Sequence, residues 1–148
     1  MSFAIRDIRK EDRPNWEPLW AGYLAFYEST LASEISDATF ARFLDPHSNL
    51  FALVAERDDD GALLGIVQCV LHDHGWSQKK FCYLEDLFVA PETRGAGVGR
   101  ALIEAVYARA DANDWGRVYW LTHETNATAR RLYDQIAKNS GFIQYRRP

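Results

Sequence analysis

Three glycines at alternate positions, in Arg94-Gly95-Ala96-Gly97-Val98-Gly99-Arg100, separate an apolar strand-like run from a segment of strong helical period. Glycine there allows positive φ and close approach of the backbone to a ligand. The loop amides, together with the free amides of the helix that follows, form a nest that favours phosphate, and Arg94 and Arg100 add positive charge. The pattern points to a pyrophosphate; the alternative is a tight strand-to-helix turn with no ligand. Two better-known phosphate loops are excluded. A P-loop needs Lys-Ser/Thr after its last glycine, where this chain has Arg100-Ala101. A dinucleotide fingerprint needs two residues between its second and third glycines, and here only Val98 intervenes. A nucleotide-binding domain is disfavoured on that spacing.

Around the loop, periodicity sets out the rest of the chain. Ala4 to Arg9 alternates as a half-buried strand does. Asp12 can cap a helix and Pro14 suits its first turn; Trp16, Leu19, Trp20, Tyr23, Leu24, Phe26 and Tyr27 recur at helical spacing. A short helix is expected over Asp37 to Leu44, ending before Pro46. Asn49–Glu56 and Ala62–Leu71 read as a hairpin about the Asp58-Asp59-Asp60-Gly61 turn. Phe81–Val89 is a long strand, Val98–Ala112 a helix and Arg117–Thr122 a strand. Asn126 caps a last helix running to about Asn139, and Phe142–Arg146 is a final strand. The order β-α-α-β-β-β-α-β-α-β predicts an α/β fold, a mixed α+β sheet with helices on both faces.

The length of 148 residues suits one domain, 1–148, and the 47% of hydrophobic residues suffices for its core. The formal net charge of −4 is a poor match to nucleic acid and a mild pointer to a cationic substrate. No apolar run reaches the roughly 18 residues of a membrane span, and Met1 to Lys10 does not read as a signal peptide. Cys69 and Cys82 lie in apolar strands, as buried free thiols of a cytoplasmic protein would. His72-Asp73-His74 offers too few ligands for a metal, and no metal is expected.

Arg94-x-x-Gly97-x-Gly99 resembles the acetyl-CoA loop of the GCN5-related N-acetyltransferase (GNAT) superfamily. Tyr83-Leu84-Glu85-Asp86-Leu87-Phe88-Val89 is similar to the family's central strand, closest to the spermidine/spermine acetyltransferases. Val118-Tyr119-Trp120 through Thr125-Asn126, then Ala129, Leu132 and Tyr133, resembles its last strand-helix unit. With the Trp/Tyr-rich first helix, that unit is most like the Hpa-type histone and D-amino-acid acetyltransferases. One departure stands out: Ala137 occupies the family's usual glycine position, and Gly141-Phe142 comes four residues later. Either the helix is one turn longer or Gly141 replaces the usual turn.

The resemblance implies an acyl-CoA N-acyltransferase fold with acetyl-CoA as co-substrate. The acetyl group would pass to a primary amine of a polyamine, amino acid, peptide or protein by direct attack in a ternary complex. Residues 94–100 would hold the pyrophosphate, and Leu87, Phe88 and Val89 would pair with the pantetheine arm in a cleft where the strand splays from Arg117–Leu121. A backbone N–H near Leu87 would meet the thioester carbonyl. Asn126 would contact the arm, cap its helix, or both. Glu85 is the expected base, directly or through water, its pKa raised by burial, with a structural hydrogen bond or ion pair as the alternative. Strict alternation sends Asp86 to the opposite face. Tyr133 is the expected acid toward the leaving sulfur; the alternative is a core tyrosine. Trp20, Tyr23 and Tyr27 are core residues or walls of the acceptor pocket. A homodimer is implied, with the C-terminal segment near its interface. The competing function is a non-catalytic acyl-CoA-binding regulatory module.

Overall fold

A computed structural model describes all residues, 1–148. Its five strands form one sheet in sequence order: β1 (Phe3–Asp7), β2 (Leu50–Arg57), β3 (Leu63–His74), β4 (Ser77–Val89) and β5 (Arg117–Tyr119). The first four are antiparallel, and β5 lies parallel to β4 after a helical crossover, so the sheet is mixed. Helices α1 (Arg13–Phe26) and α2 (Ser33–Leu44) pack on one face. Helices α3 (Val98–Asn113) and α4 (Ala127–Ile136) pack on the other.

Two cores result. Trp16, Leu19, Trp20 and Phe40 meet Val54, Ile66 and Phe88 under α1 and α2. Leu102, Ile103 and Val106 of α3 meet Leu53, Val67, Cys69, Cys82 and Leu84 on the far side. Residues 63–69 of β3 are buried on both faces, which explains a nearly continuous apolar run in place of alternation. Cys69 and Cys82 are buried free thiols within the second core.

Several boundaries differ from the sequence reading. The hairpin β3–β4 extends further than expected, to His72↔Phe81 and His74↔Ser77, so the two histidines stand on a strand. His74 stacks on Phe81 with ring centroids 4.1 Å apart. The side chain of Asp12 does not cap α1; it takes the Arg9 N–H at 2.7 Å and the Arg6 guanidinium at 2.8 and 2.9 Å, tying β1 to the helix start. β5 stops at Tyr119 rather than Thr122, because beyond it the chain leaves the sheet toward α4.

The C-terminal strand expected over Phe142–Arg146 is not formed. α4 ends at Ile136, where the Tyr107 hydroxyl donates to the Ile136 carbonyl at 2.9 Å and Ala137 turns extended. The helix is therefore not lengthened, and Gly141 adopts a left-handed φ of 82°. Phe142 and Tyr145 are each 90% exposed, and a segment left unpaired gains nothing from its β propensity.

Gly65 decides how closely α3 approaches the sheet. A Cβ there would lie 3.0 Å from the Phe88 carbonyl oxygen, 3.1 Å from Val98 and 3.2 Å from Leu102. Two of those contacts come from the first turns of α3, so the glycine sets the height of the loop before it. Gly65→Ala is expected to lower stability by about 1–3 kcal/mol, as overpacked cores do, measurable as a lower urea midpoint at unchanged m-value.

Candidate active site

β4 has a strand on both sides only from Phe81 to Tyr83, where it pairs with Arg117 to Tyr119. From Leu84 to Val89 its β3 edge stays paired and its other edge faces no strand. Trp120, continuing from β5, turns to α4 and packs edge-on against Tyr133 at 5.3 Å. β4 and β5 therefore diverge into a V, with Leu87, Phe88 and Val89 on its open arm.

The arm leads into the glycine loop. Gly95 and Gly97 hold φ of 88° and 82°, a region other residues enter only with strain, and Gly97 opens α3. Ala96 and Ala101 spend their N–H groups on the carbonyls of Thr93 and Gly97. The N–H groups of Gly95, Gly97, Val98, Gly99 and Arg100 have no acceptor within the protein. A helix start leaves such amides free, and its dipole makes them attractive to anions. They border a cavity of about 400 Å³ between the end of β4, the loop and α4, reached also by Arg94, Thr128 and Leu132. Gln135 of α4 holds the Arg100 guanidinium at its rim, while Arg94 lies over the Phe88 ring. Asn126 caps α4 by accepting from the Ala129 N–H at 3.4 Å, and its amide donates to Thr122 at 3.3 Å.

Halfway along β4 the pairing slips. Gln68 faces Asp86 and Cys69 faces Leu84, which leaves Glu85 as the extra residue of a β-bulge. Cys82 and Leu84 point into the core under α3, whereas Asp86 and Phe88 lie on the α1 face. Strict alternation thus breaks at Glu85. The charges of both carboxylates raise the phenols of Tyr23 and Tyr83, after burial as the main cause. Glu85 is solvent-exposed, yet partial desolvation and then the Asp86 charge push its carboxyl above the ordinary value.

Asp86 is buried. Its Oδ2 accepts from Gln68 Nε2 at 2.9 Å, and Gln68 Oε1 accepts from the Trp16 indole at 2.8 Å. The Tyr23 hydroxyl faces the same carboxylate. Burial raises the Asp86 carboxyl, and these two neutral partners only partly offset it. The sequence reading missed this chain from Trp16 through Gln68 to Asp86. Its one signal was a glutamine inside the apolar run of β3.

The first-helix aromatics divide. Trp20 is core, bonded to the Ser36 hydroxyl at 3.0 Å. Tyr23 is half-buried and stacked on Trp20, and the exposed Tyr27 lies beside His123 with ring centroids 5.9 Å apart. Tyr133 is half-buried at the base of α4; burial, then the nearby Tyr27, raise its phenol above the ordinary value, so it keeps its proton.

This open strand arm, leading to a nest at a helix start, coincides with a match to the Acetyltransferase (GNAT) family profile over residues 5–137. The chain belongs to that family. It is 34% identical to the D-amino-acid N-acetyltransferase HPA3 of Saccharomyces cerevisiae, over 97% of this chain and 89% of the relative. Solved structures share the fold. The ribosomal-protein-alanine N-acetyltransferase of Brucella melitensis superposes with a TM-score of 0.81 at 22% identity, covering 99% of each chain. AAC(6')-Iy in complex with the bisubstrate analog CoA-S-monomethyl-acetylneamine gives 0.82 at 19%, covering 100% of this chain and 99% of the other. As a member of the family, the protein is an N-acetyltransferase that acylates amines.

Gln68→Leu should leave the Trp16 N–H and the Asp86 carboxylate short of partners, at about 1–3 kcal/mol for each stranded group. A carboxyl raised in the folded state gives up stability as pH climbs from its unfolded value through its folded one. The loss in urea unfolding is therefore expected to be larger at neutral pH than near the ordinary aspartate value.

Proposed function

We propose that the enzyme moves the acetyl group of acetyl-CoA to a primary amine by direct attack in a ternary complex, with Glu85 as base and Tyr133 as acid. The observation that carries this is the set of five unbonded main-chain N–H groups at Gly95 and Gly97–Arg100, at the end of an unpaired strand edge. The residues suit the co-substrate: the nest and Arg94 would hold the diphosphate, the Leu87–Val89 edge the amide-bearing arm, and Asn126 its far side. Acetyl-CoA supplies an activated acyl carbon as a thioester.

Within that frame each residue has a task. Glu85 takes a proton from the incoming ammonium, directly or through water, and its raised pKa brings it nearer the working pH. A main-chain N–H of the open edge near Leu87 stabilises negative charge developing on the carbonyl oxygen. Tyr133 donates its phenolic proton to the departing sulfur, and its raised pKa keeps that proton in place beforehand. No metal, nucleic acid or membrane partner enters this reading, and a non-catalytic acyl-CoA-binding module is not favoured beside named transferases.

We further take the enzyme to be a cytoplasmic homodimer. Phe142, Ile143 and Tyr145 stand exposed on a segment whose sequence favours a strand, as an interface segment would. Light scattering is expected to give twice the chain mass.

Tyr133→Phe is expected to lower kcat by about 100-fold or more while acetyl-CoA binding by calorimetry is unchanged. Glu85 works as a base only when deprotonated, so wild-type kcat/KM should fall as pH drops through its raised pKa. Glu85→Gln should erase that acidic limb and lower the plateau. Wild-type turnover in both variants would remove the assignment.

A further inference from the structure

β5 is the shortest strand of the sheet and the last in its order, and its pairing with β4 ends at Tyr83↔Tyr119 after three residues. So short a ladder leaves side chains to decide where the strand end stands. They alternate between the faces. Val118 enters the core under α3, so Tyr119 emerges on the α1 face and Trp120 returns to the face of α3 and α4. The chain is gripped from both sides at these two successive residues.

On the α1 face, Tyr119 stacks on Tyr83 with ring centroids 5.2 Å apart. Its hydroxyl meets Nε2 of His72 at 2.7 Å. His72 belongs to β3 and faces Phe81 of β4, so this bond passes over β4 and joins two strands that are not neighbours. The other ring nitrogen, Nδ1, lies 2.7 Å from the Asp73 carbonyl oxygen. A carbonyl only accepts, so Nδ1 carries a proton, and Nε2 of the neutral ring accepts from the Tyr119 hydroxyl. Phe81 and Tyr119 also pack edge-on against the imidazole, with centroids 6.0 and 5.7 Å away. A ring held at both nitrogens and against two neighbours has one orientation.

On the opposite face, Trp120 lies edge-on to Tyr133 at 5.3 Å and beside Tyr107 at 6.3 Å. Tyr107 in turn donates to the Ile136 carbonyl at the end of α4. Tyr133, the acid of the proposed reaction, thus leans on a ring whose chain neighbour is Tyr119. A shift of Tyr119 moves Trp120, and with it the surface against which the phenol rests.

We propose that His72 is a positioning residue for Tyr133: by clasping Tyr119 across β4 it fixes Trp120, and Trp120 fixes the phenol that protonates the leaving sulfur. This rests on the transferase reading above. It also divides the His72-Asp73-His74 motif, whose second histidine is taken up by stacking on Phe81.

Tyr119→Phe removes the hydroxyl and keeps the ring stack. His72→Phe keeps a ring against Phe81 and removes both nitrogens. CoA release from acetyl-CoA by the full-length enzyme is followed with the fastest acceptor among butylamine, putrescine, alanine and a short alanyl peptide. Each variant is expected to lower kcat by about five- to tenfold with KM for acetyl-CoA unchanged, because misplacing a reacting group acts on the chemical step. His72→Gln, whose terminal amide reaches the place of Nε2, should recover most of that loss. On a Tyr133→Phe background, Tyr119→Phe should cost less than about twofold more, since a residue acting through Tyr133 has nothing left to position. In nitrogen-15 spectra the Trp120 indole N–H resonance should move in Tyr119→Phe. Losses that multiply in the double variant, or a Trp120 resonance that stays in place, overturn the inference. So does a raised KM for acetyl-CoA at wild-type kcat. The Tyr119→Phe measurements decide the matter should the His72 variants fail to fold. Wild-type turnover by Tyr133→Phe would remove the acid assignment and this inference with it. That outcome is distinct from a Tyr133 that matters and a Tyr119 that does not.

Discussion

Tyr83 is the last residue of β4 with a strand on each side, and the geometry of the cleft follows from where that pairing stops. A strand edge left unpaired exposes N–H and C=O groups that need partners. In this sheet the unpaired stretch is not at an outer edge. It is bounded by β3 on one flank and by the turn of the chain toward α4 on the other. Only an extended, amide-bearing ligand entering the V can pair with it. The bulge at Glu85 acts on the same strand: by adding one residue it turns Asp86 to the α1 face while Leu84 remains in the core under α3.

The second element is the placement of α3. Gly65 lets the helix start come down onto the sheet at Val98 and Leu102, so the loop before it meets the end of β4. The loop's free amides and the strand's free edge thereby open on one side of the molecule. Neither is a strong binding element alone. Their alignment is what makes a long ligand with an anionic middle and an amide-rich tail a good fit.

Much of this was legible in the residues. The glycine spacing at 95, 97 and 99 fixed the loop and excluded two other phosphate-binding turns, and Asn126 proved to be the cap of α4. The helices on both faces followed from periodicity. What escaped had physical reasons. A bulge leaves no mark in a period-two pattern, so Leu84-Glu85-Asp86 read as simple alternation. The Trp16–Gln68–Asp86 chain joins residues 52 and 18 positions apart, a separation no local pattern encodes. The strand expected at Phe142–Arg146 has β propensity but pairs with no strand of the sheet, and propensity without a partner does not make a strand.

The central claim is that acetyl-CoA lies along the open edge of β4 with its diphosphate on the amides before and within the first turn of α3. Titrating acetyl-CoA into nitrogen-15-labelled protein, with the amide resonances assigned, tests it most directly. The account predicts large shifts at Gly95, Gly97, Val98, Gly99 and Arg100, together with shifts along Leu84–Val89. Saturating acetyl-CoA that leaves those amides unmoved, or that moves only residues on the α2 side of the sheet, would contradict it.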